Sequence, residues 1–217
     1  MSKQVKLSVT LVGALVLVVA GLLSLGAIQD DPKEKPVAAG ESRLVRADSH
    51  ILGPEGDAGV TFVEFLDFEC EGCLAAYPAV EQLRKEYQGR VTFVARYFPM
   101  PGHFNGERAA RAVEAAAQQG QFEEMYHRMY DTQTQWGEQQ TPKDDLFLSF
   151  AEDLGLDLVK FNNGVKDPAT ARRVAKDVAD GEALGVQGTP TFFVNGERLD
   201  PRSYEDLTEA LDAALAD

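Results

Sequence analysis

Sulfur is scarce in this chain: its 217 residues hold only two cysteines, Cys70 and Cys73, in a single C-x-x-C. That count excludes a small domain stapled by several disulfides, and it leaves no third thiol to pair with the motif. Histidine is almost as rare. His50, His103 and His127 are the only three, and none pairs with another at ligand spacing. A structural zinc site needs four ligands, so the ligand count argues against one, and no metal or cofactor is expected. Cationic residues are also few. The 21 Lys and Arg stand against 35 Asp and Glu, for a net charge of -14. Non-specific attraction to nucleic acid needs a basic surface, so nucleic acid is not an expected partner. Internal repeats are absent.

What the chain does have is a long apolar run near its start. Leu7 to Ile28 is uncharged over 22 residues, preceded by Lys3 and Lys6 and followed by Asp30 and Asp31. A membrane-spanning helix needs ~20 such residues, and the flanking charges orient it with the N-terminus inside the cell. Residues 1–29 are therefore expected to be a transmembrane anchor that places the rest outside the cytoplasm. A cleavable signal peptide is the alternative. It would have a shorter apolar core, and Ser24-Leu25-Gly26 is a weak cleavage site. A lipoprotein anchor is excluded, because no cysteine follows the run. Residues 30–49, rich in Pro, Ala, Gly and charge, read as a flexible tether.

From residue 50 to 217 the pattern is globular, with normal apolar content for a buried core. Val60–Phe68 (VTFVEFLDF) reads as a central strand. Leu74, Tyr77, Val80, Leu83 and Tyr87 mark a helix closed by Gly89. Val91–Phe98 (VTFVARYF) is a second strand, and the β-α-β order implies parallel pairing. Residues from about 105 to 184 carry only helical patterns, one of them starting at Pro142 behind Thr141 as N-cap. Thr191–Val194 is a strand, Asn195-Gly196 a hairpin turn, and Tyr204–Ala216 a last helix with a solvated acidic face. The fold class is α/β.

Cys70-Glu71-Gly72-Cys73 lies where the first strand gives way to the helix. A thiol at a helix N-terminus faces unpaired N–H groups and the positive end of the dipole. Both favour the thiolate, the reactive form in disulfide exchange. Cys70 is the expected attacking thiol. Cys73, one turn on, is the expected resolving thiol. The bland reading, a structural disulfide, would close too short a loop to constrain the unfolded chain much. Two further features bear on the motif. Pro190, in Gly188-Thr189-Pro190-Thr191, suits either a cis turn presenting the Thr189 backbone to an extended substrate or an ordinary trans turn before an edge strand. Glu64 lies six residues before Cys70 inside an apolar strand. It points either beneath Cys73, as a proton acceptor, or to a solvated face. His103, in the loop Pro99-Met100-Pro101-Gly102-His103 after the second strand, either borders the active site or is a structural loop residue, the commoner case, and Trp136 and Tyr126 read as packing residues.

Together these residues resemble the DsbA-like branch of the thioredoxin superfamily. The likeness rests on Val63-Glu64-Phe65-x-Asp67-Phe68-x-Cys70-x-x-Cys73, on Pro78 within the helix, and on Gly185-Val186-x-Gly188-Thr189-Pro190-Thr191-Phe192-Phe193-Val194-Asn195-Gly196. It covers the chain from about His50 onward. The resemblance implies a thioredoxin-like fold with a helical insertion between its β-α-β and β-β-α halves. It implies Cys70 and Cys73 as redox residues, Thr189 and Pro190 as the substrate-side loop and Glu64 as a buried acid. It also implies thiol-containing protein substrates, a quinone-linked membrane redox partner and oxidase chemistry in the cell envelope. Related isomerases carry an added dimerisation domain, and no room for one appears here, which weighs against an isomerase; a monomer is expected. The same chemistry reversed gives a reductase or isomerase, and a tethered chaperone or binding module with little redox activity is the alternative from another class. DsbA-type motifs usually hold Pro-His between the cysteines, where this chain has Glu71-Gly72. An acidic neighbour raises a thiol's pKa, so a weaker oxidant than a His-containing enzyme is expected.

Overall fold

The computed structural model describes residues 42–216. The expected anchor, the alternative signal peptide and the first part of the tether lie outside these residues. Among the described residues no helix is long and apolar enough to cross a membrane.

Five strands form one sheet: β1 (His50–Ile51), β2 (Val60–Leu66), β3 (Val91–Tyr97), β4 (Thr191–Val194) and β5 (Glu197–Arg198), in spatial order β1-β3-β2-β4-β5. β2 and β3 run parallel, with Val60 opposite Val91 and Leu66 opposite Tyr97. Both strands are buried on both faces, which is why each reads as a near-continuous apolar run rather than an alternation. The crossover between them is α1 (Glu71–Glu86), with Pro78 inside it. β4 returns antiparallel to β2, and β5 antiparallel to β4. The turn joining β4 and β5 puts Asn195 and Gly196 at φ 48° and 96°, the left-handed backbone a tight hairpin requires. β1, only two residues long, pairs antiparallel with β3; it is too short to show periodicity and was not foreseen.

The expected helical insertion is present as α2 (Gly106–Ala117), α3 (Phe122–Trp136), α4 (Asp144–Asp153), α5 (Leu158–Lys166) and α6 (Pro168–Ala183), and α7 (Tyr204–Ala216) ends the fold. Thus the fold is α/β, thioredoxin-like, with the insertion between its two halves. One start differs from expectation. α4 begins at Asp144, not Pro142, because Asn105 takes the preceding backbone. Its Nδ2 donates to the carbonyls of Gln139 and Thr141, and its Oδ1 accepts from the Lys143 amide. Asp157 and Asp167 do cap α5 and α6, the latter with Pro168 in its first turn.

The sheet separates two apolar layers. Phe62, Leu66, Phe93, Ala95 and Tyr97 pack with residues of α1, α2, α3 and α7 on one face. Val63, Phe65, Val94, Phe98 and Phe193 face the other way, toward Leu44, Val45 and α6. The strand period of two makes this division. The far layer holds a buried ion cluster. Arg96, fully buried in β3, bonds Asp177 and Asp180 of α6 at 2.8 and 2.7 Å and donates to the carbonyls of Arg43 and Leu44. Arg46 also pairs with Asp180. The chain is therefore docked on the domain from Arg43, ahead of the expected boundary at His50.

Candidate active site

β2 ends at Leu66 and α1 starts at Glu71, so the four residues between them make the elbow on which the motif rides. Cys70 is the N-cap of α1 in extended backbone conformation. Its amide donates to the Asp67 carbonyl at 3.1 Å, and its carbonyl accepts from Leu74 N at 3.1 Å. Gln133 of α3 ties down the same turn, with Nε2 donating to the carbonyls of Phe68 and Cys70 at 2.7 and 3.0 Å. The elbow is thus held from the sheet, from its own helix and from the insertion.

Both cysteines are free thiols. Cys70 is partly exposed and Cys73 is buried. The Thr189–Pro190 peptide is cis, and the Cys70 Sγ lies 3.3 Å from the Thr189 carbonyl oxygen. Gly72 sits in the same crevice. A Cβ there would lie 3.4 Å from the Pro190 ring and 3.5 Å from both Cys70 Sγ and Thr189 O, so the missing side chain leaves the approach to the sulfur open.

The two thiols differ sharply in acidity. Cys70 is pushed down to about 5, chiefly by the hydrogen bond from the Cys73 thiol, then by Thr189 and the backbone N–H groups of Cys73 and Gly72, against the opposing effect of burial. Cys73 is pushed well above its usual range by burial first, and then by its bond to Cys70 and the nearby Glu64. One sulfur is a thiolate at neutral pH while its neighbour keeps its proton. Glu71 is exposed, and Cys70 is pushed down despite this acidic neighbour. The helix N-terminus and the second thiol outweigh it.

Glu64 takes the buried of its two sequence-based orientations. It is 3 % exposed, and burial pushes its carboxyl up to about 8, with the charges of Glu81 and Cys70 adding to the shift. Its Oε2 finds no partner among the described residues. It is the acid that also raises Cys73. The structure therefore gathers Cys70, Cys73, Glu64, Thr189 and Pro190 around one point.

Sequence reasoning gave no role to Asp67 or Gln133, and left an active-site role for His103 as the lesser of two readings. Asp67 is 1 % exposed. Its amide donates to Cys73 Sγ at 3.5 Å, and its carboxylate accepts from the amides of Glu69 and Met100 and from His103 Nδ1. A carboxylate in an otherwise apolar stretch was the available signal. His103 takes the first of its two readings, since its imidazole is held by Asp67 of the elbow. Gln133 gave no signal, since its role depends on α3 packing behind the elbow. Trp136 and Tyr126 are buried packing residues, as expected.

Comparison with known proteins agrees with this geometry. A family described as Thioredoxin matches residues 46–213. Among curated relatives, the "Na(+)/H(+) antiporter NhaA 3" of Salinispora tropica is 41% identical over 169 residues, which is 77% of this chain and 25% of that protein. The chain spans about a quarter of the length of the curated relatives it matches. Among solved structures, a thioredoxin-like oxidoreductase from Silicibacter pomeroyi DSS-3 superposes with a TM-score of 0.69 at 29% identity, covering 82% of this chain and 99% of the other. BdbD from Bacillus subtilis in its oxidised form gives a TM-score of 0.70 at 23% identity, covering 78% and 94%. The chain belongs to the thioredoxin superfamily and carries the fold of its DsbA-like branch.

Proposed function

We propose that this chain is a protein thiol–disulfide oxidoreductase of the cell envelope, acting through Cys70 and Cys73, with net oxidation of substrate proteins as its direction. The observation that carries the reading is the placement of two free thiols at one helix mouth, with Cys70 the partly exposed N-cap of α1, 3.3 Å from the Thr189 carbonyl, and Cys73 buried one turn on; the split in their acidity supports it.

A substrate thiolate attacks Sγ of Cys70 in the Cys70–Cys73 disulfide. A mixed disulfide forms, and Cys73 leaves as a thiolate. Glu64, protonated at neutral pH with its carboxyl at about 8, supplies the proton Cys73 needs. A second substrate thiolate attacks the substrate sulfur of the mixed disulfide, and Cys70 departs as a stable thiolate. Two electrons pass to the cysteine pair, and the substrate leaves with a disulfide. A good leaving thiol has a low pKa, which is the property Cys70 has. The Thr189 carbonyl, 3.3 Å from the reacting sulfur, offers a backbone acceptor to an extended substrate segment. A quinone-linked membrane protein is the proposed reoxidant.

The envelope location rests on the apolar run Leu7–Ile28, and anchoring by that run belongs to the same proposal. The match to a quarter of the length of named antiporters favours a companion reading, in which the domain serves a membrane transporter's thiols. Ion transport itself is not proposed for this chain.

Insulin reduction tests the activity. The wild type is expected to precipitate the insulin B chain in the presence of a thiol reductant, and Cys70→Ser is expected not to. Equal, background rates for both proteins would favour the chaperone or binding module instead. A Cys73→Ala variant traps substrates as mixed disulfides and so names them.

A further inference from the structure

The dipeptide between the cysteines holds no cation, yet one is tied to the same elbow from another loop. His103 lies between β3 and α2. Its amide donates to Met100 O at 3.0 Å, and its carbonyl accepts from Gly106 N at 3.4 Å. The imidazole Nδ1 is 2.5 Å from Asp67 Oδ2. Asp67 in turn touches both cysteines through its backbone. Its carbonyl accepts from Cys70 N at 3.1 Å, and its amide reaches Cys73 Sγ at 3.5 Å. The packing around the pair is tight. A Cβ on Gly106 would lie 2.9 and 3.1 Å from the Asp67 carboxylate oxygens and 3.2 Å from His103 Cβ. Only a glycine lets α2 begin this close to the pair.

The groups facing His103 all favour its charged form. Asp67, Cys70 and Glu69 come from the elbow, and together they push the imidazole up to about 9, the bond to Asp67 first, against the opposing effect of burial. Glu107 of α2 and Glu182 of α6 line the groove that His103 also lines. At neutral pH His103 is therefore an imidazolium. The amides of Glu69 and Met100 already engage part of the Asp67 charge, at 2.9 and 2.8 Å.

We propose that His103, clamped by Asp67, is a positioning residue of this redox site: its positive charge, set within electrostatic reach of Cys70, favours the thiolate and so sets the enzyme's oxidising strength. A cation delivered from the loop after β3 takes the part that the Glu71-Gly72 dipeptide does not supply. The inference rests on the oxidoreductase reading and deepens it. By linkage, the proton on His103 and the charge on Cys70 favour each other by the same factor. Forming the Cys70–Cys73 disulfide removes the thiolate, so oxidation lowers the proton affinity of His103.

The test begins with the unmodified full-length protein. Proton NMR follows the imidazole of His103, assigned by substitution among the three histidines, across pH in the reduced and oxidised forms. The expected midpoint is higher in the reduced form by about 0.5–1 pH unit, the scale of a charge pair at a partly exposed site. His103→Gln is then expected to raise the Cys70 thiolate midpoint by a similar amount and to shift the glutathione equilibrium about 3- to 10-fold toward the disulfide. His103→Lys, which restores a cation, is expected to recover most of both effects; a purely structural role would not respond to charge. Identical His103 midpoints in the two redox states overturn the proposal, even if His103→Gln fails to fold. So does an unmoved Cys70 midpoint in a folded His103→Gln. A wild type inactive toward insulin, with the His103 shift still present, would instead sink the oxidoreductase reading.

Discussion

The Sγ of Cys70 lies 3.3 Å from the backbone oxygen of Thr189, a residue 119 positions further along the chain. The whole helical insertion is strung between these two atoms. Its ends meet because β4 pairs with β2, placing Phe65 opposite Thr191 just after Pro190. The site is therefore a product of sheet register, and its parts answer to separate substitutions.

Glu64 makes the first prediction. Its carboxyl is raised, so between pH 4.5 and about 8 the folded state holds a proton that the unfolded state has lost. Stability then falls as pH rises through that window. Glu64→Gln is expected to be more stable than the wild type by roughly 1–3 kcal/mol at pH 8, with no gain below pH 4.5. Urea melts across pH measure this. The same substitution is expected to slow formation of the mixed disulfide by ~100-fold, because the leaving Cys73 loses its general acid. A pH-independent stability change would place the charge elsewhere.

Redox strength makes the second. A Cys70 thiol near 5 lies between those of thioredoxin, ~7, and DsbA, ~3.5. The reduction potential, measured against glutathione, is expected between about -270 and about -120 mV. Gly72→His is expected to move it toward the upper limit, because a Cβ at residue 72 meets only ordinary contacts and an imidazolium there would face the sulfur. A wild-type value at or above -120 mV, or a variant that becomes more reducing, contradicts the electrostatic account.

The buried cluster on the far face of the sheet gives the third. Arg96→Met removes the guanidinium that Asp177, Asp180 and the Arg43 and Leu44 carbonyls share. Breaking such a pair leaves buried charge uncompensated and costs about 3–5 kcal/mol. The urea midpoint is expected to drop accordingly. Activity per folded molecule is expected to hold, since Arg96 and the motif lie in different layers.

Local signals carried much of the architecture. Apolar runs bounded by Pro99 and Gly89 marked the central strands and the crossover helix, and Asn195-Gly196 marked the hairpin. The motif and Pro190 were legible because their chemistry is local: two sulfurs one turn apart, and a proline before a strand. What escaped depends on contacts between distant segments. β1 is too short for a period, and Thr141 lost its capping role because Asn105, 36 residues earlier, holds its carbonyl. Arg96 in β3 carries no local signal, because the two aspartates it pairs with come from α6. His103 and Asp67 likewise lie 36 residues apart, and no spacing rule connects them.

Thiolate absorbance at 240 nm, followed against pH in the reduced protein with Cys70→Ser as the blank, bears most directly on the central claim. The helix-mouth thiol should ionise with a midpoint near 5 while Cys73 stays silent through neutral pH. A single transition near 8.5, the value of an unperturbed cysteine, would mean that the fold does nothing to this sulfur.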